Sequence, residues 1–212
     1  MVTAGARCLV TGATGYIGGR LVPQLLAAGF EVRVLSRSPE KLRDYPWADQ
    51  VEVAEGDAGD HDAVLRACDD IDVVYYLIHA IGSGKDFEQT DRRTAQTVAR
   101  AVAEAGISRI VYLGGLLPEG EKLSAHLRSR AEVAEILLDS GVPTVVLRAA
   151  VIIGSGSASF EMLRYLTERL PAMITPRWVN SRIQPIAVRD VLRYLVGAAT
   201  LPAEVHRAFD IG

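Results

Sequence analysis

Val10-Thr11-Gly12-Ala13-Thr14-Gly15-Tyr16-Ile17-Gly18-Gly19 sets a glycine-rich turn between the apolar run Cys8-Leu9-Val10 and a stretch, Tyr16 to Ala28, whose apolar residues recur at helical spacing until Gly29. The run predicts a buried parallel strand, and the stretch predicts an amphipathic helix. Gly12 permits the tight turn, Gly15 lets backbone N–H groups approach phosphate oxygens, and Gly18 lets the helix lie close against the strand. The helix N-terminus adds unpaired N–H donors and a partial positive charge. Three spaced glycines also occur in turns that bind nothing. A strand before them and a helix after them make this the expected seat of a dinucleotide pyrophosphate.

Outward from that turn, short apolar runs alternate with longer helical patterns. Strands are expected at Glu31–Leu35, Val51–Ala54, Val73–Ile78, Ile110–Leu113 and Thr144–Leu147, with a last one at Ala208–Ile211. Between them, Asp60 can cap a short helix through Ala67, Phe87 to Ala105 forms a long helix closed by Gly106, and Ser124 to Asp139 forms another closed by Gly141. Strands separated by helices imply parallel pairing through right-handed crossovers, hence a doubly wound α/β sheet with helices on both faces. After Leu147 the pattern loosens into a loop with Gly154 and Gly156, a helix from Phe160 to Leu170, a Pro-marked stretch from Pro171 to Pro176, and a helix near Val188 to Ala199.

Composition narrows the class. The 212 residues suffice for one well-buried domain, 49% are hydrophobic, and the formal net charge of −3 argues against a polyanion-binding surface, so nucleic acid is not an expected partner. Cys8 and Cys68 read as two buried free thiols of a reducing compartment, without a disulfide framework or a metal cluster. No apolar run approaches the roughly 18 residues of a membrane span, and no basic-then-apolar leader precedes the first strand. A soluble cytoplasmic protein is expected.

These residues resemble the atypical and extended short-chain dehydrogenase/reductase superfamily, with its NmrA-like and epimerase-like members. The likeness rests on Gly12, Gly15 and Gly18, on Arg37 after the second strand, on Gly56-Asp57 after the third, and on Ile186-Ala187-Val188-Arg189-Asp190-Val191. It implies a Rossmann-type sheet in the order 3-2-1-4-5-6-7, with residues 1–212 as one NAD(P)-binding domain and residues 154–207 as a small substrate-side subregion. Larger members imply that this is a piece of a longer chain, with a C-terminal domain or a homo-oligomeric partner. The resemblance places Thr14, Tyr16 and Ile17 with the three glycines around the pyrophosphate, Asp57 and Ala58 beside the adenine, and Ile78, His79 and Ala80 past the ribose. His79 reads equally as a satisfied polar residue at a strand end. Leu113, Gly114, Arg130, Ala149 and Val151 fall toward the nicotinamide.

Cofactor choice is written at the tip of the second strand, Leu35-Ser36-Arg37-Ser38. An NAD-selecting enzyme usually places a carboxylate there for the ribose 2′-OH. Here no acid is present, and a guanidinium with serine hydroxyls suits a 2′-phosphate, so NADP is expected over NAD. The competing account is a solvated arginine at a helix entrance.

The family's reactive groups are a serine after the fifth strand, then a tyrosine with a lysine four residues on. This chain has Gly114 and Gly115 after the fifth strand and His126-Leu127-Arg128-Ser129-Arg130 on the helix. His126 could supply a proton near neutral pH, and Arg130 could orient ribose hydroxyls and stabilise negative charge without relaying protons. Both could equally sit on the solvent face of an amphipathic helix. Tyr112 is a further candidate acid, or a core residue. Ser124 reads as a helix cap and Ser129 as a surface residue. Ser155, Ser157, Phe160 and Met162 are candidate contacts for an unknown small-molecule substrate, or loop and helix packing. Three functions follow: a reductase transferring hydride to a small carbonyl or conjugated substrate, a module that binds NADP(H) without turnover, or a stabilising subunit that uses the fold for protein contacts.

Overall fold

The structure, a computed structural model, describes residues 5–80, 86–117, 123–169 and 184–212, apart from the side chains of 86, 158, 159, 162, 163, 166 and 167. The Pro-marked stretch and Leu170 lie outside the described residues, as does the side chain of Met162. Among the described residues, nine strands and six α-helices follow in order: β1 (Arg7–Thr11), α1 (Gly18–Ala27), β2 (Glu31–Ser36), β3 (Glu52–Glu55), α2 (His61–Ala67), β4 (Val73–Tyr76), α3 (Asp86–Glu104), β5 (Arg109–Gly115), α4 (Ala125–Leu138), β6 (Thr144–Ala149), β7 (Val151–Ile153), α5 (Ala158–Arg169), β8 (Pro185–Ala187), α6 (Val188–Ala198) and β9 (Arg207–Ile211). Seven strands form one parallel sheet in the order β3-β2-β1-β4-β5-β6-β9, the expected doubly wound Rossmann-type order with β9 as its seventh strand.

Alternation along the strands divides the core. Cys8, Val10, Tyr75, Val111 and Leu113 face the side covered by α1 and α6, whereas Leu9, Val74, Tyr76, Ile110 and Tyr112 face α2, α3 and α4. Both cysteines are free and buried, and burial pushes the Cys8 thiol up to about 12 and that of Cys68 to about 11, so neither is reactive at neutral pH. No helix among the described residues is long and apolar enough to cross a membrane.

Three local departures from the expected boundaries have physical causes. β4 ends at Tyr76 rather than Ile78, because the Thr11 hydroxyl donates to the Tyr75 carbonyl at 3.0 Å and accepts the Leu77 N–H at 3.2 Å, diverting a ladder donor to a side chain. The first helix begins at Gly18 rather than Tyr16, since residues 12–17 are used up in the turn, where the Gly15 N–H bonds the Gly12 carbonyl at 2.9 Å. β7 and β8, unanticipated, pair in parallel as a separate two-stranded sheet, with Ile152 opposite Ile186.

Pro23 stands inside α1, where it cannot supply the N–H that the Gly19 carbonyl would accept. The indole of buried Trp47 donates to that carbonyl at 3.0 Å, and the Tyr45 hydroxyl donates to the Thr14 carbonyl at 3.0 Å. Their rings lie 4.7 Å apart. The segment after β2 is thereby clasped onto the glycine-rich turn.

Candidate nucleotide and reaction site

The strand order reverses at β1, which pairs with β2 on one side and β4 on the other. Chain crossovers leave in opposite directions there, so a crevice opens outside the strand C-termini. The glycine-rich turn occupies it. Gly12 has φ +75°, and a Cβ on it would stand 2.6 Å from the Leu77 carbonyl oxygen. A Cβ on Gly18 would lie 2.2 Å from the Gly12 oxygen, which shows how closely α1 is drawn onto the turn. Gly15 is exposed, and a Cβ there would meet only the Gly12 oxygen, at 3.2 Å. The start of α1 carries no acidic residue and no side-chain cap. This cradle, open in front of Gly15 and closed behind Gly12 and Gly18, fits a pyrophosphate on backbone donors.

Around the turn, Thr14 is exposed, while Tyr16 and Ile17 are half-buried. The Arg20 guanidinium stacks over the Tyr16 ring at 4.0 Å and donates to the carbonyls of Tyr16 at 3.2 Å and Ser155 at 2.9 Å. Ser157 donates its hydroxyl to the Ile152 carbonyl at 2.9 Å, so these serines are engaged in holding the loop after β7. Phe160 is half-buried at the start of α5. At the other end, the Ser36 hydroxyl accepts the Ser38 N–H at 3.2 Å, and Arg37, 78% exposed, lies 3.7 Å from the Asp57 carboxylate. Arg37 and Asp57 thus meet across the tips of β2 and β3, with Ala58 buried behind them.

Beyond β4, Ile78, His79 and Ala80 line the edge of the crevice, half-buried. His79 Nε2 lies 3.4 Å from the Leu113 carbonyl, so Nε2 carries the proton, and Nδ1 is a buried lone pair without a partner. Burial, then the positive charge of Arg130, bring this imidazole from 6.5 down to about 4, and it is neutral at physiological pH. Tyr112 packs edge-on to His79 at 5.7 Å and donates its hydroxyl to the Arg130 carbonyl at 3.2 Å. Burial pushes its phenol well above the ordinary tyrosine range.

Gly114 and Gly115 end β5 in full burial. A Cβ on Gly115 would meet Leu127 Cδ2 at 2.8 Å and Arg130 Cδ at 3.6 Å, so α4 packs its side chains against the place where the family serine would stand. Arg130 is half-buried, its Nε shielded from solvent and unpartnered. His126 is exposed, its ring 5.6 Å from that of Phe87. Ala149 is buried at the end of β6, where its carbonyl accepts the Leu116 N–H at 2.9 Å, and Val151 opens β7 half-buried.

Ser124 caps α4 as expected, its hydroxyl accepting the Leu127 N–H. Ser129 does not lie on the surface: it is 2% exposed and donates to Asp91 Oδ2 at 2.9 Å. Asp91, absent from the sequence reading, is itself buried and accepts the Ala80 N–H on Oδ1 at 2.6 Å. This one carboxylate joins α3, α4 and the segment after β4. The signal for both was present in the burial stripes, Asp91 with Ala95, Val98 and Val102, and Ser129 with Val133 and Leu137.

Residues 12–153 match the model of a family described as NAD(P)H-binding. A (4-alkanoyl-5-oxo-2,5-dihydrofuran-3-yl)methyl phosphate reductase of Streptomyces griseus is 35% identical over 204 residues, 96% of this chain and 66% of its own length. A 3 beta-hydroxysteroid dehydrogenase/Delta 5-->4-isomerase of Mycobacterium tuberculosis is 29% identical over 198 residues, 79% of this chain and 52% of its own. The chain thus spans about half to two-thirds of the length of these relatives. Among solved structures, the Bordetella bronchiseptica enzyme WbmH in complex with NAD+ superposes with a TM-score of 0.76 at 21% identity, covering 97% of this chain and 75% of that one. With the sheet order, the glycine cradle and the family match in agreement, this chain belongs to the NAD(P)H-binding family.

Proposed function

We propose that the protein is an NADP(H)-dependent reductase that delivers hydride to a small carbonyl or conjugated substrate. The observation that carries the reading is that the glycine cradle and Arg130 open on one crevice: Gly12 stands against Leu77, and His79, two residues on, feels the positive charge of Arg130. Gly12, Thr14, Gly15, Tyr16, Ile17 and Gly18 would hold the pyrophosphate, Ser36 and Arg37 the 2′-phosphate, Asp57 and Ala58 the adenine, and Ile78, His79 and Ala80 the ribose. Leu113, Gly114, Arg130, Ala149 and Val151 would border the nicotinamide. The reduced cofactor supplies a hydride when bound. Arg130 holds negative charge on the substrate, and His126, exposed to solvent, is the proton source. The reductase relative from Streptomyces griseus supports the same chemistry. The buried, unreactive thiols suit a cytoplasmic setting.

Arg37 sets the nucleotide preference. NADPH should bind more tightly than NADH, and Arg37→Ala should narrow the gap by roughly 10- to 100-fold, the loss of one charge-assisted contact. Fluorescence titration with both nucleotides reads this directly. Equal affinities in the unaltered protein would remove the NADP assignment.

A second reading, a module that binds NADP(H) without turnover, is favoured by two observations: Tyr112 gives its hydroxyl to the Arg130 carbonyl, and glycines stand where the family serine would be. NADPH oxidation across a panel of quinones, aldehydes and enones separates the two. For a reductase, His126→Ala should lower kcat by about 100-fold with NADPH affinity unchanged. A silent panel in the presence of normal NADPH binding decides for the module.

A further inference from the structure

We propose that the substrate is a conjugated carbonyl compound, held by the Arg130 guanidinium through the oxygen that becomes an enolate. The inference rests on the reductase reading and narrows its substrate class. It starts from the groups in the crevice able to give up a proton. The Tyr112 hydroxyl is bonded to the Arg130 carbonyl, and Tyr76, its ring 5.8 Å away, is wholly buried. Burial raises both phenols far above neutral pH. His79 commits its one N–H to the Leu113 carbonyl. Asp91 accepts the Ala80 N–H on one oxygen and the Ser129 hydroxyl on the other. The protons of Tyr112, His79 and Ser129 are thus committed within the protein.

What they leave is a fixed cation. The stem of Arg130 lies against Gly115, its Nε is buried without a partner, and it forms no ion pair with a described carboxylate. A guanidinium stays charged throughout and donates hydrogen bonds in a planar fork, so it stabilises an oxyanion without protonating it. Reduction of an isolated ketone produces an alkoxide, which is too basic to persist without an acid at oxygen. Hydride addition at the β-carbon of a conjugated carbonyl instead breaks the carbon–carbon π bond and moves its electron pair toward oxygen. The resulting enolate is far less basic, and it can wait on Arg130 until a proton joins the α-carbon from the solvent side, where His126 lies exposed. The substrate gains one hydride and one proton, and NADPH is the two-electron reductant.

Equilibrium binding tests the charge recognition apart from turnover. Dimedone, an enolate at neutral pH, should bind the NADP+-saturated protein about 10-fold or more tighter than neutral cyclohexanone in calorimetry, as a stable mimic of the charged intermediate does. Arg130→Met should erase the preference, and Arg130→Lys should keep part of it, with circular dichroism and NADP+ affinity recorded for each. In turnover, cyclohexenone should be reduced about 100-fold faster than cyclohexanone, the difference expected when His126 delivers its proton at carbon on the solvent side and no acid stands at the carbonyl oxygen. Equal binding of dimedone and cyclohexanone, a preference unchanged in folded Arg130→Met, or equal reduction of the two ketones would overturn the inference. Failure of the unaltered protein to bind NADP+ would instead overturn the reading beneath it.

Discussion

A Gly15→Val protein is expected to fold normally and to lose nucleotide affinity by about 100-fold or more, because the new side chain occupies the approach of the pyrophosphate. Gly15 lies outside the left-handed region and its Cβ position meets a single backbone oxygen at 3.2 Å, so valine disturbs little in the unliganded chain. Gly18 behaves oppositely. A methyl there would stand 2.2 Å from the Gly12 oxygen, and Gly18→Ala should damage the fold itself by forcing α1 away from β1. Calorimetry with NADPH, run beside circular dichroism on both variants, distinguishes occlusion from unfolding. A folded Gly15→Val protein that binds NADPH as the parent does would mean the phosphates lie elsewhere.

The largest expected loss of stability lies at the opposite end of the sheet. Arg109, at the start of β5, is 1% exposed and gathers three carbonyls of the segment joining α6 to β9: Val205 at 3.0 Å through Nη1, and Leu201 at 2.9 Å and Pro202 at 2.7 Å through Nη2. Arg109→Met keeps the apolar stem and removes all three bonds, leaving the carbonyls to find water or go unpaired. A cost of about 3 kcal/mol is expected, since each abandoned buried acceptor costs about 1–3 kcal/mol and this loop is partly open to solvent. For a chain of this size that corresponds to a fall of about 6–12 °C in Tm, measurable by thermal denaturation. Nucleotide affinity should be unaffected at temperatures where the variant is folded. A Tm within about 2 °C of the parent would show that the loop finds its own partners.

The parallel sheet and its switch point were legible because each strand is a short apolar run bounded by a turn, and each crossover carries a complete helical period. The glycine turn was legible from its flanks. The β7–β8 pair was not: each strand has three residues, and the partners are separated by the whole of α5 and the segment that follows it. Asp91 escaped because it sits in the polar run Glu88-Gln89-Thr90-Asp91-Arg92-Arg93, which reads as a solvated face; only the phase of Ala95, Val98 and Val102 carries it inward. Ser129, between Arg128 and Arg130, reads as a surface residue for the same reason. Pro23 carried a local signal against a helix that tertiary structure overrides, since Trp47, far along the chain, satisfies the carbonyl it abandons.

That clasp has a consequence for how a nucleotide arrives. With Trp47 and Tyr45 fastened to the carbonyls of Gly19 and Thr14, the cradle is already shaped by the folding of the apoprotein. The conformational entropy of ordering this loop is therefore charged to folding rather than to ligand capture. In the proposed NADP(H) site, association at the pyrophosphate would then proceed as docking onto a preorganised surface, leaving the affinity gained there to hold the rest of the cofactor.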